Sequence, residues 1–191
     1  MLIQDVEFIG SRQGFTSPGA PGRTVEVVQL HEPDWLTLRE ARLAALRSSP
    51  DAFCGNYATE RLVRRRVWRR RLRTGTWTVA RADGQIVGLA GMLHEPDPVG
   101  GPDAPFGTRC IESVWVHPDY RGYGVLKHLL ASVEENALRQ GVGVFVLWVL
   151  ESNTVAAEVY RRLGYRHTGI AQPISVRRRW DVENRLMKSL L

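Results

Sequence analysis

The chain has only two cysteines among its 191 residues, Cys54 and Cys110, and neither sits in a Cys-x-x-Cys or Cys/His spacing. A zinc site is therefore not expected, nor any other metal, and a reducing cytoplasm suits the count. A single bridge between the two cysteines stays open. No apolar run reaches the roughly 18 residues that a membrane span needs, so no membrane partner is expected. The opening MLIQDVEFIGSRQGF lacks the basic start and continuous apolar block of a secretory signal. No internal repeat or low-complexity array is present.

What remains is a chain of ordinary globular composition, long enough to bury the core of one domain. Its formal net charge of +6 favours anions without saying which. Nucleic acid, acidic lipid and a phosphorylated cofactor are all open at this level. Much of the charge is concentrated in RLVRRRVWRRRLR, residues 61–73.

Residues 1–23 carry TSPGAPGR and no sustained period, so they read as an N-terminal extension before a single domain over 24–191. TVEVVQL (24–30) is strand-like. Asp34 can cap a helix whose apolar side is Leu36, Leu38, Ala41, Leu43 and Leu46, ended by Ser49 and Pro50. ATERLVRRRVWRRRLRTG reads as one helix from a Thr59 cap to Gly75. TWTVAR and QIVGLAGML form a hairpin about Asp83-Gly84. After a long Pro/Gly loop, TRCIESVWV (108–116) is a strand. A Gly turn then opens a helix with Leu126, Leu129, Leu130, Val133 and Ala137 at helical spacing, which places Leu126 in the stripe facing the core. VFVLWVL (144–150) is a continuous apolar strand, and TVAAEVYRRLG a helix with Asn153 as cap and Gly164 as end. YRHTGIAQP and ENRLMKSLL close the chain as strands. The fold class is α/β with a mixed sheet, because strand–helix–strand over 108–150 demands a crossover and two parallel strands.

HPDYRGYGVLKHLL (117–130) carries the most chemical information. A Gly turn between strand and helix exposes backbone N–H groups that have no partner inside the helix. Those donors and the helix dipole favour an anion, and the missing side chains let a phosphate approach. The spacing is neither GxGxxG nor a P-loop, since no Gly-Lys-Ser/Thr follows. A loop kept slim for packing is the plainer alternative.

Arg121-Gly122-Tyr123-Gly124-Val125-Leu126 resembles the Arg/Gln-x-x-Gly-x-Gly/Ala loop of the GNAT family of acyl-CoA-dependent N-acetyltransferases. Its sixth position departs from that pattern. LWVLESNTVAAEVYRRLGYRHTGI (147–170) resembles the family's downstream motif, with Asn153, Ala156, Tyr160, Leu163, Gly164 and Tyr165 in place. The resemblance implies a splayed mixed sheet of about six to seven strands flanked by about four helices. It implies acetyl-CoA as cosubstrate. Val114, Trp115 and Val116 would pair with its pantetheine arm as a strand would. Backbone N–H groups over Arg121, Gly122, Tyr123, Gly124, Val125, Leu126 and Lys127 would hold the pyrophosphate, and Asn153 and Tyr160 would line the other side. Asn153 can equally be a plain N-cap. Tyr160 matches the family's general acid, which protonates the departing thiolate, and can equally be a core aromatic.

An acceptor amine must lose a proton before it attacks a thioester. Glu112 is the candidate base, placed by period-two alternation on the face of Val114 and Val116; an ion-paired rim glutamate is the alternative. Cys110 shares the Glu112 face, and His117 is read as a loop residue. In the arginine-rich helix, Arg64 and Arg71 fall among apolar positions. They either snorkel or meet an acidic group on the acceptor. Trp68 is the one aromatic among the arginines, so nucleic acid is not the expected partner. The expected reaction is acetyl transfer to a primary amine, of a small molecule in the first reading. A protein N-terminus or lysine, and a non-catalytic acyl-CoA-binding module, are the alternatives, and Leu126 keeps the last of these in play. A homodimer stays open.

Overall fold

The computed structural model describes residues 12–16, 24–96, 107–176 and 179–190. Its strands are β1 (Arg12–Thr16), β2 (Thr24–Leu30), β3 (Gly75–Ala82), β4 (Gln85–Pro96), β5 (Thr108–Val116), β6 (Val144–Leu150), β7 (Arg166–Val176) and β8 (Arg179–Ser189). They form one sheet in the order β1-β2-β3-β4-β5-β6-β8-β7. Every neighbouring pair is antiparallel except β5 and β6. The helices are α1 (Trp35–Ser48), α2 (Tyr57–Glu60), α3 (Arg65–Arg73), α4 (Val125–Arg139) and α5 (Thr154–Arg162).

The mixed sheet agrees with the sequence reading. The eighth strand comes from the segment read as an extension, where β1 pairs with β2 from Arg12↔Val28 to Thr16↔Thr24. The rest of that segment, and residues 97–106 of the Pro/Gly loop, lie outside the described residues. The Asp83-Gly84 turn joins β3 to β4 with both residues at positive φ (49° and 75°), the twist that two-residue hairpins prefer.

The single arginine-rich helix of the sequence reading is two. Asn56, not Thr59, caps α2, its Oδ1 accepting from Ala58 N at 2.7 Å. Tight bonds from Leu62 N to Thr59 O and from Val63 N to Glu60 O (both 3.1 Å) then end the helix. Arg64 is extended (ψ 150°) and starts α3. The break is stabilised by Trp68, fully buried, whose indole donates to the freed Val63 carbonyl at 3.1 Å.

Two cores lie on opposite faces of the sheet. On one, Leu129, Leu130, Val133 and Ala137 of α4 and Tyr160 of α5 pack against β2, β3, β4 and β6. On the other, Leu38, Ala41 and Ala45 of α1 and Trp68 and Leu72 of α3 cover Trp77, Val79, Leu89 and Trp115. Leu36, expected on the buried side of α1, is 51% exposed. Among the described residues no helix is long and apolar enough to cross a membrane.

Candidate active site

β5 and β6 pair only at Thr108↔Val144, Arg109↔Phe145 and Cys110↔Val146. Beyond Cys110 they part, while β6 stays paired with β8 along its whole length. The gap has polar backbone on its walls and opens into two cavities. One, of about 790 Å³, runs along Val114–Val116, the Gly turn and α5. The other, of about 630 Å³, lies between β5, β6 and the loop after α1. Ala52, Phe53, Val114, Asn153, Ala156 and Tyr160 line both, so the two spaces meet around them.

The first cavity has the features of an anion cradle at its far end. Gly122 (φ 82°) and Gly124 (φ 80°) are both left-handed, a conformation that side chains disfavour. No heavy atom comes within 4 Å of where a Cβ at Gly122 would stand, so the space in front of the turn is open. α4 begins right after Gly124, and its first regular bond is His128 N to Gly124 O at 3.2 Å. The N–H groups of Val125, Leu126 and Lys127 precede that bond and have no acceptor within the helix. These groups suit a pyrophosphate, and the long groove suits an extended arm. Arg121 lines the mouth but is held in place. Its Nε donates to Val116 O at 3.2 Å and its Nη2 to Ser49 Oγ at 2.7 Å, tying the end of β5 to the end of α1.

The structure places the remaining groove residues as follows. Val114, Trp115, Val116, Gly122, Gly124, Val125, Leu126 and Lys127 all line it. Tyr123 does not, and is 36% exposed. Trp115 is 3% exposed; its ring packs with α1 and α3 and donates to Ser48 Oγ at 2.9 Å. Leu126 is half-buried: it packs against the α4-side core, as expected of it, and also lines the groove, while Val125, 1% exposed, is the fully buried residue of the first turn. Asn153 is the α5 N-cap, with Oδ1 accepting from Ala156 N at 3.2 Å, and its position also puts it at both cavities. Tyr160 is nearly buried, packed edge-on against Tyr165 at 5.6 Å, and burial pushes its hydroxyl well above the usual phenol range.

Glu112 lines the second cavity but not on the face expected of it. Ser113 has φ 56°, and β5 slips by one residue against β4 between Gly91↔Glu112 and Leu89↔Trp115. This bulge inverts the alternation. Ile111 packs on the α4 side and Trp115, four residues later, on the α1 side. Glu112 thus shares the α1 face with Trp115, opposite Val114 and Val116. Arg42 of α1 braces the strained residue, its Nη1 donating to Ser113 Oγ at 3.3 Å.

Arg42, Glu60, Arg71 and Glu112 form a charge network in this cavity. Arg71 grips Glu60 with two bonds of 2.9 and 3.2 Å and stacks on Trp68 at 4.4 Å. Arg42 Nε stands 3.7 Å from Glu60, and its guanidinium lies over Phe53 at 4.9 Å. Burial pushes the Glu112 carboxyl up, Arg42 and Arg71 pull it down, Glu60 pushes it up, and the net direction is upward. Arg64 is exposed and lines neither cavity, because it sits at the break between α2 and α3. Arg64 therefore lies outside the cleft, whereas Arg71 lines it, already paired with Glu60.

The two cysteines do not form a disulfide, and both line this cavity. Phe53, Arg42, Glu60, Trp148 and Glu183 line it too, and the motifs did not point to them. Arg42 left a trace in the sequence. It follows Leu38 by four residues and precedes Leu46 by four, a charge inside an apolar stripe.

The acetyltransferase (GNAT) family matches residues 35–165, which include both glycines of the turn, Asn153 and Tyr160. The chain belongs to the GNAT family. Solved structures show the same fold. A ribosomal-protein-alanine N-acetyltransferase from Brucella melitensis superposes with a TM-score of 0.67 at 22% identity, over 85% of this chain and 98% of that one. YncA from Salmonella typhimurium, determined with acetyl-CoA, gives 0.65 at 21% identity, over 87% and 94%. A GNAT acetyltransferase from Streptococcus pneumoniae gives 0.69 at 15% identity, over 86% and 98%. The first cavity is termed the groove and the second the cleft.

Proposed function

We propose that this GNAT protein is an N-acetyltransferase that moves acetyl from acetyl-CoA to a primary amine of a small molecule by direct attack. The observation that carries this reading is Tyr160, which lines both the groove and the cleft at the point where β5 and β6 part. Glu112, on the cleft wall, takes the proton that the amine must lose. Its upward-shifted carboxyl makes it a better base than an exposed glutamate. The amine nitrogen forms the new bond to the acetyl carbon as the carbon–sulfur bond breaks. Tyr160, kept protonated by burial, gives its proton to the departing sulfur. Asn153 caps α5 and so fixes the start of the helix that carries Tyr160. A cleft of about 630 Å³ is the size of a small-molecule site.

The test is CoA release over a panel of primary amines, with Tyr160→Phe as control. Turnover on at least one amine, strongly reduced in Tyr160→Phe, supports the reading. Acetyl-CoA binding without turnover on any amine or peptide N-terminus would leave a binding module instead.

A further inference from the structure

The charges of the acceptor cleft do not cancel, and the remainder falls on one residue. Glu60, Glu112 and Glu183 line the cleft with Arg42 and Arg71. Glu60 is held by Arg71, and Arg42 lies among Glu60, Glu112 and Ser113. Glu183 is different. It is only 9% exposed, yet among the described residues no cation stands within ion-pair distance of it. Among the described residues its one side-chain hydrogen-bond partner is an amide, Gln172 Nε2, which donates to Oε1 at 2.6 Å. Arg185 lies two residues further along β8 on the same face, directly across from Trp148, but it does not line the cleft and forms no ion pair with Glu183. A nearly buried carboxylate with one amide partner is costly unless a cation arrives.

The surroundings fit such a cation. Glu183 pairs across β8 with Leu150 of β6, so Trp148, two residues before Leu150, is its diagonal neighbour on the same face. Trp148 lines the cleft and is half-buried. An indole beside a carboxylate is a favourable environment for an ammonium group. Glu112 stands on the β5 wall, whereas Glu183 stands beyond β6, on the far side of the split between the strands. A molecule spanning the cleft would meet one carboxylate at its reacting end and another at its distal end.

We propose that the acceptor is a dication, a diamine or a longer polyamine, whose distal ammonium is bound by Glu183 beside Trp148 while its other amine reacts near Glu112. The proposal rests on the transferase reading for the reacting end only. An acceptor with a distal carboxylate is disfavoured, since the cleft arginines are engaged and the unmatched charge is negative.

The experiment compares α,ω-diaminoalkanes, 1-aminoalkanes of equal length and ω-amino acids as acceptors. The wild-type protein should show kcat/KM at least about tenfold higher for the best diamine than for its monoamine, the scale of one charge-assisted hydrogen bond. In Glu183→Gln that ratio should collapse towards one through the diamine KM, with kcat little changed. Glu183→Asp should restore part of it. Calorimetric titration of the same diamine into protein with CoA reads the Glu183 contact without chemistry, and circular dichroism confirms that the variants fold. Equal kcat/KM for diamine and monoamine, a preference for ω-amino acids, or a ratio unchanged by Glu183→Gln would each overturn the proposal while leaving the transferase reading intact. If no amine is acetylated, Glu183-dependent diamine binding upholds the distal site and refutes the transferase reading; its absence refutes both.

Discussion

The groove and the cleft meet at Tyr160, yet they are built by different means. The groove presents backbone. Its chemistry lies in an exposed strand edge and in the N–H groups of a turn whose two glycines are left-handed. The cleft presents side chains: five charged residues, three aromatics and both cysteines, drawn from α1, α2, α3, α5, β5, β6 and β8 and from the loop after α1. A backbone site depends on conformation and tolerates many side chains. A side-chain site changes with every substitution. On the proposed function, the cosubstrate is held by the part whose chemistry depends least on side chains, and acceptor choice is left to the part that depends on them most.

Substitutions should separate the two regions, and the largest effect belongs to the residue they share. Tyr160→Phe should cut kcat by about 100-fold, the usual scale for losing a proton donor. Acetyl-CoA affinity by calorimetry and the far-UV spectrum should stay as in the wild type. Equal losses in kcat and in acetyl-CoA affinity would make Tyr160 a packing residue.

Glu112→Gln should lower kcat/KM by about tenfold or more at neutral pH, and should act on the cleft alone, with KM for acetyl-CoA unchanged. The wild-type pH–rate profile should rise with an apparent pKa above the ordinary carboxylate range, and that limb should vanish in the variant. Stability offers a second reading. A carboxyl whose pKa is raised by folding holds its proton more tightly in the folded state. Stability is then lost as pH climbs from the ordinary carboxylate value through the raised one. Glu112→Gln should therefore gain stability relative to wild type at neutral pH, and the gain should fade below the ordinary carboxylate value. Urea unfolding at both pH values checks the sign.

Gly124→Ala should act on the groove alone. It forces a side chain into a left-handed residue, at a cost of about 1–2 kcal/mol. KM for acetyl-CoA should rise several-fold and the melting temperature fall, with acceptor KM unchanged. A rise in acceptor KM instead would break the division between backbone site and side-chain site. Leu126→Ala should be the mildest, weakening acetyl-CoA by about threefold through lost apolar contact. Tighter binding would mean that the leucine crowds the groove.

Much of the groove was legible because its parts are contiguous. Gly122 and Gly124 lie in one turn, and Asn153 and Tyr160 in one short helix with its cap, so spacing alone relates them. β2, β5 and β6 span the same residues that the sequence assigned to strands. The cleft was less legible because it is assembled across 142 positions, from Arg42 to Glu183. Glu183 and Arg185 alternate in β8 like an ordinary solvent-facing row, and only the fold shows both to be buried. The break after Glu60 was hidden because helix formers continue through it, and the tertiary bond from Trp68 to Val63 decides the matter. Ser113 gave no warning either, since no glycine or proline marks the slip.

That slip divides β5 into two stretches that answer to different partners. Upstream of Ser113 the even-numbered side chains face α1 and the cleft; downstream they face α4 and the groove. A lineage could rewrite Cys110 without moving Val114 or Val116. Removing the single residue between the two stretches would put the two vocabularies back in register, and each half of the strand would then address the wrong molecule.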